Sequence, residues 1–373
     1  MTTSTANSQR PRLLLFEQRM IGDAVMSLPF ARSAAAKYEV YVTCAEHSVG
    51  IFKMALPEDR IIAWTPPWIA KGGGLGKWRA AGLAGYVGRI RRVRADAAAS
   101  VWADARVHFL MALSGAGVRA GFPMTANNFY ASQLEWRQKQ IKIGAVLNLA
   151  GAAIAMRRLL TRKVNRGDYY QHHVEDFRDL ARALELEWDE TRPWLPVLGG
   201  KREGEGPPVW LVHPGARFEG RRWPAEKFAK IIKEVLMPAG ARVIYVQAPE
   251  LGAALPVMPA GVEVAAPGSL EGFMELCAGA DVLLCNDTGV SHMGAALGKR
   301  VVTIFTDQEP RWFAPRGSEG DAVSIEVCPH RPCLDHCVMP SYVCLDAVTY
   351  EMVREKVEAV LREGRPRDGA GPS

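Results

Sequence analysis

A chain of 373 residues, 48% of them apolar and 23% charged, is too long for one ordinary hydrophobic core and suits two globular α/β domains. Its 46 Lys and Arg against 40 Asp and Glu leave a net charge of +6, a mild excess that fits anionic substrates or an anionic membrane surface, and no nucleic-acid motif accompanies it. The opening MTTSTANSQRPR has no apolar core and no stretch reaches the roughly 18 apolar residues of a membrane span, so the reading is a cytoplasmic protein whose seven cysteines are reduced.

In chain order, residues 1–11 read as a disordered tail and Arg12 to Phe16 as a first buried strand. Gly22 and Asp23 then open a helix that carries Met26, Leu28 and Phe30 and runs on to Tyr38. A glycine at this point lets the backbone pass close to a ligand, and Asp23 stands where a carboxylate serves as a helix cap or as a base; on the residues alone the cap is favoured. Val40 to Cys44 and Arg60 to Trp64 continue as strands, and this βαβ rhythm predicts a parallel sheet. The Gly- and Lys-rich stretch 65–82 reads equally as a substrate-covering loop or a plain linker. Gly85 to Arg94 forms a basic helix, either a solvated face or a surface for phosphorylated lipid. Ala97 to Ala103 returns to strand and leaves Asp104, Arg106 and His108 at its carboxyl end. A second basic run holds Arg157, Arg158, Arg162, Lys163 and Arg166, a solvated helix face or a patch for acceptor phosphate or membrane. His173 to Leu186 is an amphipathic helix, and GGKREGEGPP at 199–208 is the clearest linker, separating a domain 12–198 from a domain 209–349.

The second domain opens with Val209 to Val212 as a strand, followed by His213, Pro214, Gly215, Ala216 and Arg217. Arg221, Arg222 and Trp223 precede Pro224 and a helix from Ala225 to Leu236. Guanidinium groups ahead of a helix start can hold a diphosphate by paired, charge-assisted hydrogen bonds, and the alternative is plain surface charge. Arg242 to Gln247 is the next strand. The chain centres on DVLLCNDTGVSHMGAAL at 281–297: an apolar strand, Val282 to Cys285, a cap-forming turn of Asn286, Asp287, Thr288 and Gly289, and a small-residue helix. Unpaired N–H groups and the positive end of the dipole at that helix start suit an anion, with Thr288, Ser291 and His292 beside it. The other reading is an ordinary turn with His292 as a satisfied core histidine. Arg300 to Phe305 is a further strand. Cys328, Cys333, Cys337 and Cys344 crowd one loop with His330 and His336, as ligands of a tetrahedral ion, as packing thiols or as a disulfide. Tyr350 to Arg362 makes a last amphipathic helix, assigned to 350–363 ahead of a tail, 364–373.

DTGVSHMGAALGKRVVTIF, HPGARFEGRRWPAEKFAKI at 213–231 and FEQRMIGDAVMSLPFARS at 16–33 together resemble motifs of the bacterial heptosyltransferases, glycosyltransferase family nine, in the same order. The resemblance implies a GT-B architecture, α/β with two Rossmann-like domains facing across a cleft. The acceptor would lie in the N-terminal domain and the nucleotide sugar in the C-terminal one. It implies inverting transfer of heptose from ADP-heptose to an acceptor hydroxyl, in lipopolysaccharide core assembly, on a lipid-linked anionic acceptor or, in a variant reading, a protein side chain. Another nucleotide sugar, or a non-catalytic binding protein of the same fold, are the alternatives. Asp23 becomes the general base, with Gly22, Asp104 and Arg106 on the acceptor side. His213, Arg217, Arg221, Asp287, Thr288, Gly289, Ser291 and His292 become donor-binding. No cofactor is implied for catalysis. Some members of the family are reported to bind iron through a cysteine-rich loop, which implies a structural Zn or Fe on Cys328, Cys333, Cys337 and Cys344. The family's usual glutamine-glycine pair is missing near Ala105 and Arg106. The last helix of two-lobed glycosyltransferases often crosses back onto the first domain, and such enzymes can lie peripherally on the inner face of the membrane.

Overall fold

The computed structural model describes residues 10–69, 80–123, 155–168, 171–196, 206–251, 256–333 and 337–364. The chain divides into two compact units, Met1–Glu190 and Thr191–Ser373. In the first, strands β1 (Arg12–Glu17), β2 (Glu39–Cys44), β3 (Ile61–Ala63), β4 (Ala97–Ser100), β5 (Val118–Gly121) and β6 (Arg162–Lys163) form an all-parallel sheet of order β3-β2-β1-β4-β5-β6. The second holds β7 (Val209–His213), β8 (Arg242–Val246), β9 (Glu263–Ala265), β10 (Val282–Asn286), β11 (Arg300–Ile304) and β12 (Ala322–Val323) in the order β12-β11-β10-β7-β8-β9, also parallel throughout. Counted from its own first strand, each sheet has the doubly wound order 3-2-1-4-5-6. Each therefore has a switch point, between β1 and β4 in one and between β7 and β10 in the other, where chain connections part in opposite directions and leave a crevice at the strands' carboxyl ends.

The central strands form where the sequence is continuously apolar, because a parallel sheet is covered on both faces. Leu13, Leu14 and Leu15 on β1 and Leu211, Val212, Leu283 and Leu284 on β7 and β10 are all buried. Helices α1 (Ile21–Met26), α2 (Leu28–Ala35), α3 (Val49–Lys53), α4 (Ala80–Arg92), α5 (Ala105–Leu113) and α6 (His173–Ala183) belong to the first unit. The second adds α7 (Ala225–Ile231), α8 (Leu270–Gly279), α9 (Gly289–Ala296), α10 (Pro310–Phe313), α11 (Val343–Ala347) and α12 (Tyr350–Glu363).

Several departures from the sequence reading have local causes. The helix expected from Gly22 to Tyr38 breaks at Ser27, whose hydroxyl bonds back to the Ala24 carbonyl at 2.7 Å, and Pro29 brings no N–H to carry the first helix onward. Strands β5, β6, β9 and β12 are only two to four residues long, too short for a periodic signal. The basic run at 157–166 is not one helical face: Met156–Leu159 makes a single 3₁₀ turn before β6, and Arg162 Nη1 donates to the Ala183 carbonyl at 2.6 Å. The centre of the 65–82 loop (70–79), residues 124–154, and 197–205 within the expected linker lie outside the described residues. The structural division falls earlier than that linker. Trp194 and Leu195 are buried and both donate their N–H to the Ala296 carbonyl, at 2.7 and 3.2 Å, so the segment after Thr191 already belongs to the second unit.

The last helix lays Val353, Val357 and Val360 into the second unit's own core with Trp210, Val212, Val302 and Ile304. Each such side chain, fully buried, contributes about 1.5–3 kcal/mol. Tyr350 Oη donates to Glu234 at 2.8 Å and Arg300 pairs with Glu363 at 2.7 Å, fixing both ends of the helix on this unit. Among the described residues no helix is long and apolar enough to cross a membrane.

Candidate functional site

The residues singled out in the sequence gather at the two switch points. In the second unit β10 ends at Asn286, whose side chain joins two loops: its Nδ2 donates to the Pro214 carbonyl at 2.7 Å and its Oδ1 accepts the Trp223 N–H at 3.2 Å. This brings the segment after β7, with His213 and Gly215, beside the turn Asp287–Thr288. Thr288 caps α9 by accepting the Val290 N–H at 3.3 Å, and Ser291 Oγ donates to the Thr288 carbonyl at 2.8 Å. Ser291 and His292 are buried under this turn. Gly294 explains how α9 lies so close to the sheet, since a Cβ there would stand 2.5 Å from Leu283 Cδ2.

Arg221 lies between two buried carboxylates, with Nη1 3.1 Å from Asp287 Oδ2 and Nε 3.3 Å from Asp307 Oδ1. Its guanidinium and that of the exposed Arg217 both approach the Phe218 ring, at 5.4 and 5.5 Å. Arg222 instead holds the loop itself, donating to the Ala216 carbonyl at 2.8 Å. His213 is buried against Phe273, and burial pushes its imidazole down to about 4 despite the nearby Glu250 carboxylate, so at neutral pH it is an uncharged ring. Asp307 was not singled out in the sequence; its signal was the polar TDQEP run directly after β11.

The cysteine loop abuts the same place. Cys328, Cys333, Cys337 and Cys344 line one small cavity with Asp307 and His330. Cys333 Sγ is 3.9 Å from Asp307 Oδ2, while Cys337 Sγ turns to the Met339 and Ser341 carbonyls at 3.8 Å. The donor chemistry suits a soft ion, but among the described residues, which omit His336, no three His, Cys, Asp or Glu groups converge on one point. An ion there would have to draw the thiols together.

In the first unit β1 delivers Glu17, and the turn after it delivers Asp23 in the first turn of α1. Asp23 Oδ2 accepts the Met20 N–H at 3.0 Å, so the cap role is filled by one oxygen, and Oδ1 stands 3.9 Å from His173 Nε2. Gly22 is buried one residue earlier. Asp104 caps α5 by accepting the Arg106 N–H at 2.9 Å, and the Arg106 guanidinium forks onto the same carboxylate at 2.6–3.2 Å. Burial works to raise the Asp104 carboxyl, but the Arg106 hydrogen bonds and the charges of Arg106 and Arg19 outweigh it and hold the group below its ordinary range. Arg19 lies 4.5 Å over the Trp102 ring and Arg106 4.8 Å over Trp68, giving this end of the sheet cations backed by aromatic faces. His108 is fully buried and neutral, its imidazole pushed below the ordinary value by burial.

Three further residues that sequence reasoning missed complete this cluster. Glu17 is buried, accepts the Trp102 indole N–H at 3.0 Å and the Arg19 N–H at 3.2 Å, and is pushed up to about 8 by burial and then by the Asp23 carboxylate. His173 Nδ1 and Asp176 Oδ2 are 3.0 Å apart, and Asp176 is forked by Arg166. Glu17 could have been suspected as a charged residue ending an apolar strand; His173 and Asp176 looked only like the first turn of an amphipathic helix.

A pair of doubly wound parallel sheets, each with its polar cluster at the switch point, defines a GT-B-class glycosyltransferase. The family model of glycosyltransferase family 9 (heptosyltransferase) matches residues 124–343, more than half of the chain, and the chain belongs to that family. No curated protein sequence matches it significantly. Among solved structures it is similar to the heptosyltransferase WaaC of E. coli with ADP: TM-score 0.64, 19% identity, 93% of this chain and 99% of that one. Heptosyltransferase II of E. coli matches with TM-score 0.61 and 19% identity over 94% and 99%. A family 9 glycosyltransferase of Veillonella parvula matches with TM-score 0.68 and 16% identity over 95% and 98%. At these identities the likeness concerns the fold.

Proposed function

We propose that the protein transfers heptose from ADP-heptose to an acceptor hydroxyl with inversion at the anomeric carbon, in assembly of the lipopolysaccharide core. The observation that carries this reading is the Arg221 guanidinium held by Asp287 and Asp307 beside the capped start of α9, a preset cationic group next to the positive end of a helix dipole. Such a group meets charge as it develops on a leaving diphosphate and costs little reorganisation at that moment. WaaC has been solved with ADP and with ADP-2-deoxy-2-fluoro heptose, which supports the choice of donor.

In this reading Asp23 takes the acceptor proton. The acceptor oxygen then attacks the anomeric carbon from the side opposite the diphosphate. Arg221, Arg217 and the N-terminus of α9 hold the departing ADP, His213 and Ser291 shape the donor pocket, and Asp104 and Arg106 serve an anionic acceptor, lipid-linked or on a protein. Catalysis needs no metal; a Zn or Fe on the cysteine loop would be structural. The basic α4, with Arg89, Arg91 and Arg92 in its last turn, supports peripheral contact with an anionic membrane face. A panel of nucleotide sugars followed by thermal shift tests the donor. ADP-heptose and ADP should raise the melting temperature, and a response to a uridine or guanosine sugar instead would overturn the reading.

A further inference from the structure

We propose that His173, held by Asp176, is a positioning residue of the transfer reaction and receives from Asp23 the proton that Asp23 takes from the acceptor. The inference rests on the reading of Asp23 as the base.

Three carboxyl groups surround one buried imidazole. Asp176 meets Nδ1 at 3.0 Å, Asp23 Oδ1 stands 3.9 Å from Nε2, and the buried Glu17 lies near both on β1. Asp176 is itself fixed by the Arg166 fork and by Gln171 Nε2 at 2.7 Å, so the ring is oriented from behind and presents Nε2 to the base. Trp102 and Phe177 close over it, with ring centroids at 4.9 and 5.3 Å, and keep the ring from swinging away. A purely structural histidine at the start of α6 would account for the Asp176 contact alone. It would not account for Nε2 being turned toward the carboxylate that ends the β1 turn, across a long stretch of sequence.

The charges are arranged for a cation on the ring. Burial opposes it, but the Asp176 hydrogen bond and then the charges of Asp176 and Asp23 outweigh that and hold the imidazole above its ordinary 6.5. Glu17, pushed up to about 8, keeps its own proton at neutral pH and so does not compete as the acceptor. The step balances simply. The acceptor O–H breaks and its proton goes to Asp23 Oδ1 as the new C–O bond forms, while the electron pair of the old one leaves with the diphosphate. The proton then passes to the Nε2 lone pair of the neutral ring, Nδ1–H remaining on Asp176. Asp23 is again a carboxylate, and the imidazolium returns its proton to solvent before the next turnover. A separation of 3.9 Å closes with a small side-chain rotation, as hydrogen bonds at catalytic groups commonly tighten when substrate binds.

The test has two arms. In side-chain NMR of the intact protein, with the His173 signal assigned by its loss in His173→Gln, the midpoint should fall in both Asp23→Asn and Asp176→Asn. A His173 midpoint unmoved by Asp23→Asn overturns the inference without any need for a catalytic assay. In the second arm, ADP release from ADP-heptose with water as acceptor should drop at least about tenfold in His173→Gln and Asp176→Asn. The Michaelis constant for the donor should stay the same, and the acid limb, which in the wild type lies at the NMR midpoint, should move in His173→Gln. Wild-type rates and an unmoved acid limb in both variants, with Asp23→Asn inactive, sink the relay and leave the base reading standing. An active Asp23→Asn sinks both. If the wild type releases no ADP, water is not a competent acceptor and the NMR arm decides the inference.

Discussion

At the scale of single residues, Asp23 shows how one side chain fills two roles that compete in the sequence. Its Oδ2 caps the Met20 N–H and its Oδ1 faces His173, so the cap and the base are different oxygens of one carboxylate. Asp23→Asn keeps an oxygen for the cap and loses the basic group. Turnover should fall at least about a hundredfold with ADP affinity unchanged, and a variant that retained most of its rate would reduce Asp23 to a cap. Arg221 gives a second case. Removing it in Arg221→Ala takes away the cation proposed for the diphosphate and breaks its pairs with Asp287 and Asp307, at a cost on the order of 2 kcal/mol in stability. Calorimetry should find ADP binding weaker in Arg221→Ala and in Asp287→Ala, with the salt dependence reduced only in the arginine variant, because that contribution acts through charge. Equal affinity in all three proteins would place the donor elsewhere. Glu17 yields a pH prediction whose sign is fixed. Its folded-state value, about 8, lies above the unfolded one near 4.5, so between these values the folded state holds a proton that the unfolded chain has released, and stability falls as pH rises through that window. Glu17→Gln cannot lose this proton; its melting temperature should gain on the wild type from pH 5 to pH 8, and a constant difference would show that Glu17 does not titrate there.

The elements divide by how much of their fate is local. β1, β7 and β10 were legible because continuous apolar runs admit one fate, burial on both faces of a parallel sheet, and the turns after them were legible because glycine, aspartate and threonine have few other uses at a strand's end. Edge strands β6, β9 and β12 were not, since they are two or three residues long and exist only because a neighbouring strand offers its hydrogen bonds. The basic run at 157–166 misled for a related reason: charge suggested a solvated face, while Arg162 and Arg166 are turned to a helix carbonyl and to Asp176. Asp307, Glu17 and His173 were missed because each is defined by a partner far away in the chain, Arg221, Trp102 and Asp23, and Asp176 because its pairing with His173 three residues before it reads as an ordinary first helical turn. The cysteine loop lies between these cases. Its crowding was visible, and the fold brings all four thiols to the cavity that includes Asp307, the carboxylate on Arg221. If the loop carries a structural ion, protein purified without a histidine tag should contain about one equivalent of Zn or Fe, and Cys333→Ser should lose it together with thermal stability. Metal-free protein of full stability and activity would make the cysteines packing thiols.

Across the whole molecule the same strand order appears twice, and the chemistry assigned to each copy follows from what stands at its switch point. The family model matches residues 124–343, which takes in the end of the first unit and most of the second. In the proposed reading the second copy takes the nucleotide diphosphate at a capped helix start flanked by guanidinium groups, beside a His213 that burial keeps uncharged at neutral pH. The first copy, in the same reading, moves the proton through its carboxyl and imidazole groups. If donor binding belongs to the second unit alone, ADP should leave the first unit's local stability untouched. Binding to the folded state at a hundred times the dissociation constant contributes about 2.7 kcal/mol, a roughly hundredfold slowing of exchange for amides that open with the binding site. Hydrogen exchange should therefore slow at 286–297 and across the 213–223 loop, which Asn286 fastens to that turn, and stay constant at 17–26. Protection at 17–26 with none at 286–297 would reverse the assignment of the two units. Protection in neither, at saturating ADP, would mean that the polar turn after β10 is only a well-capped helix start.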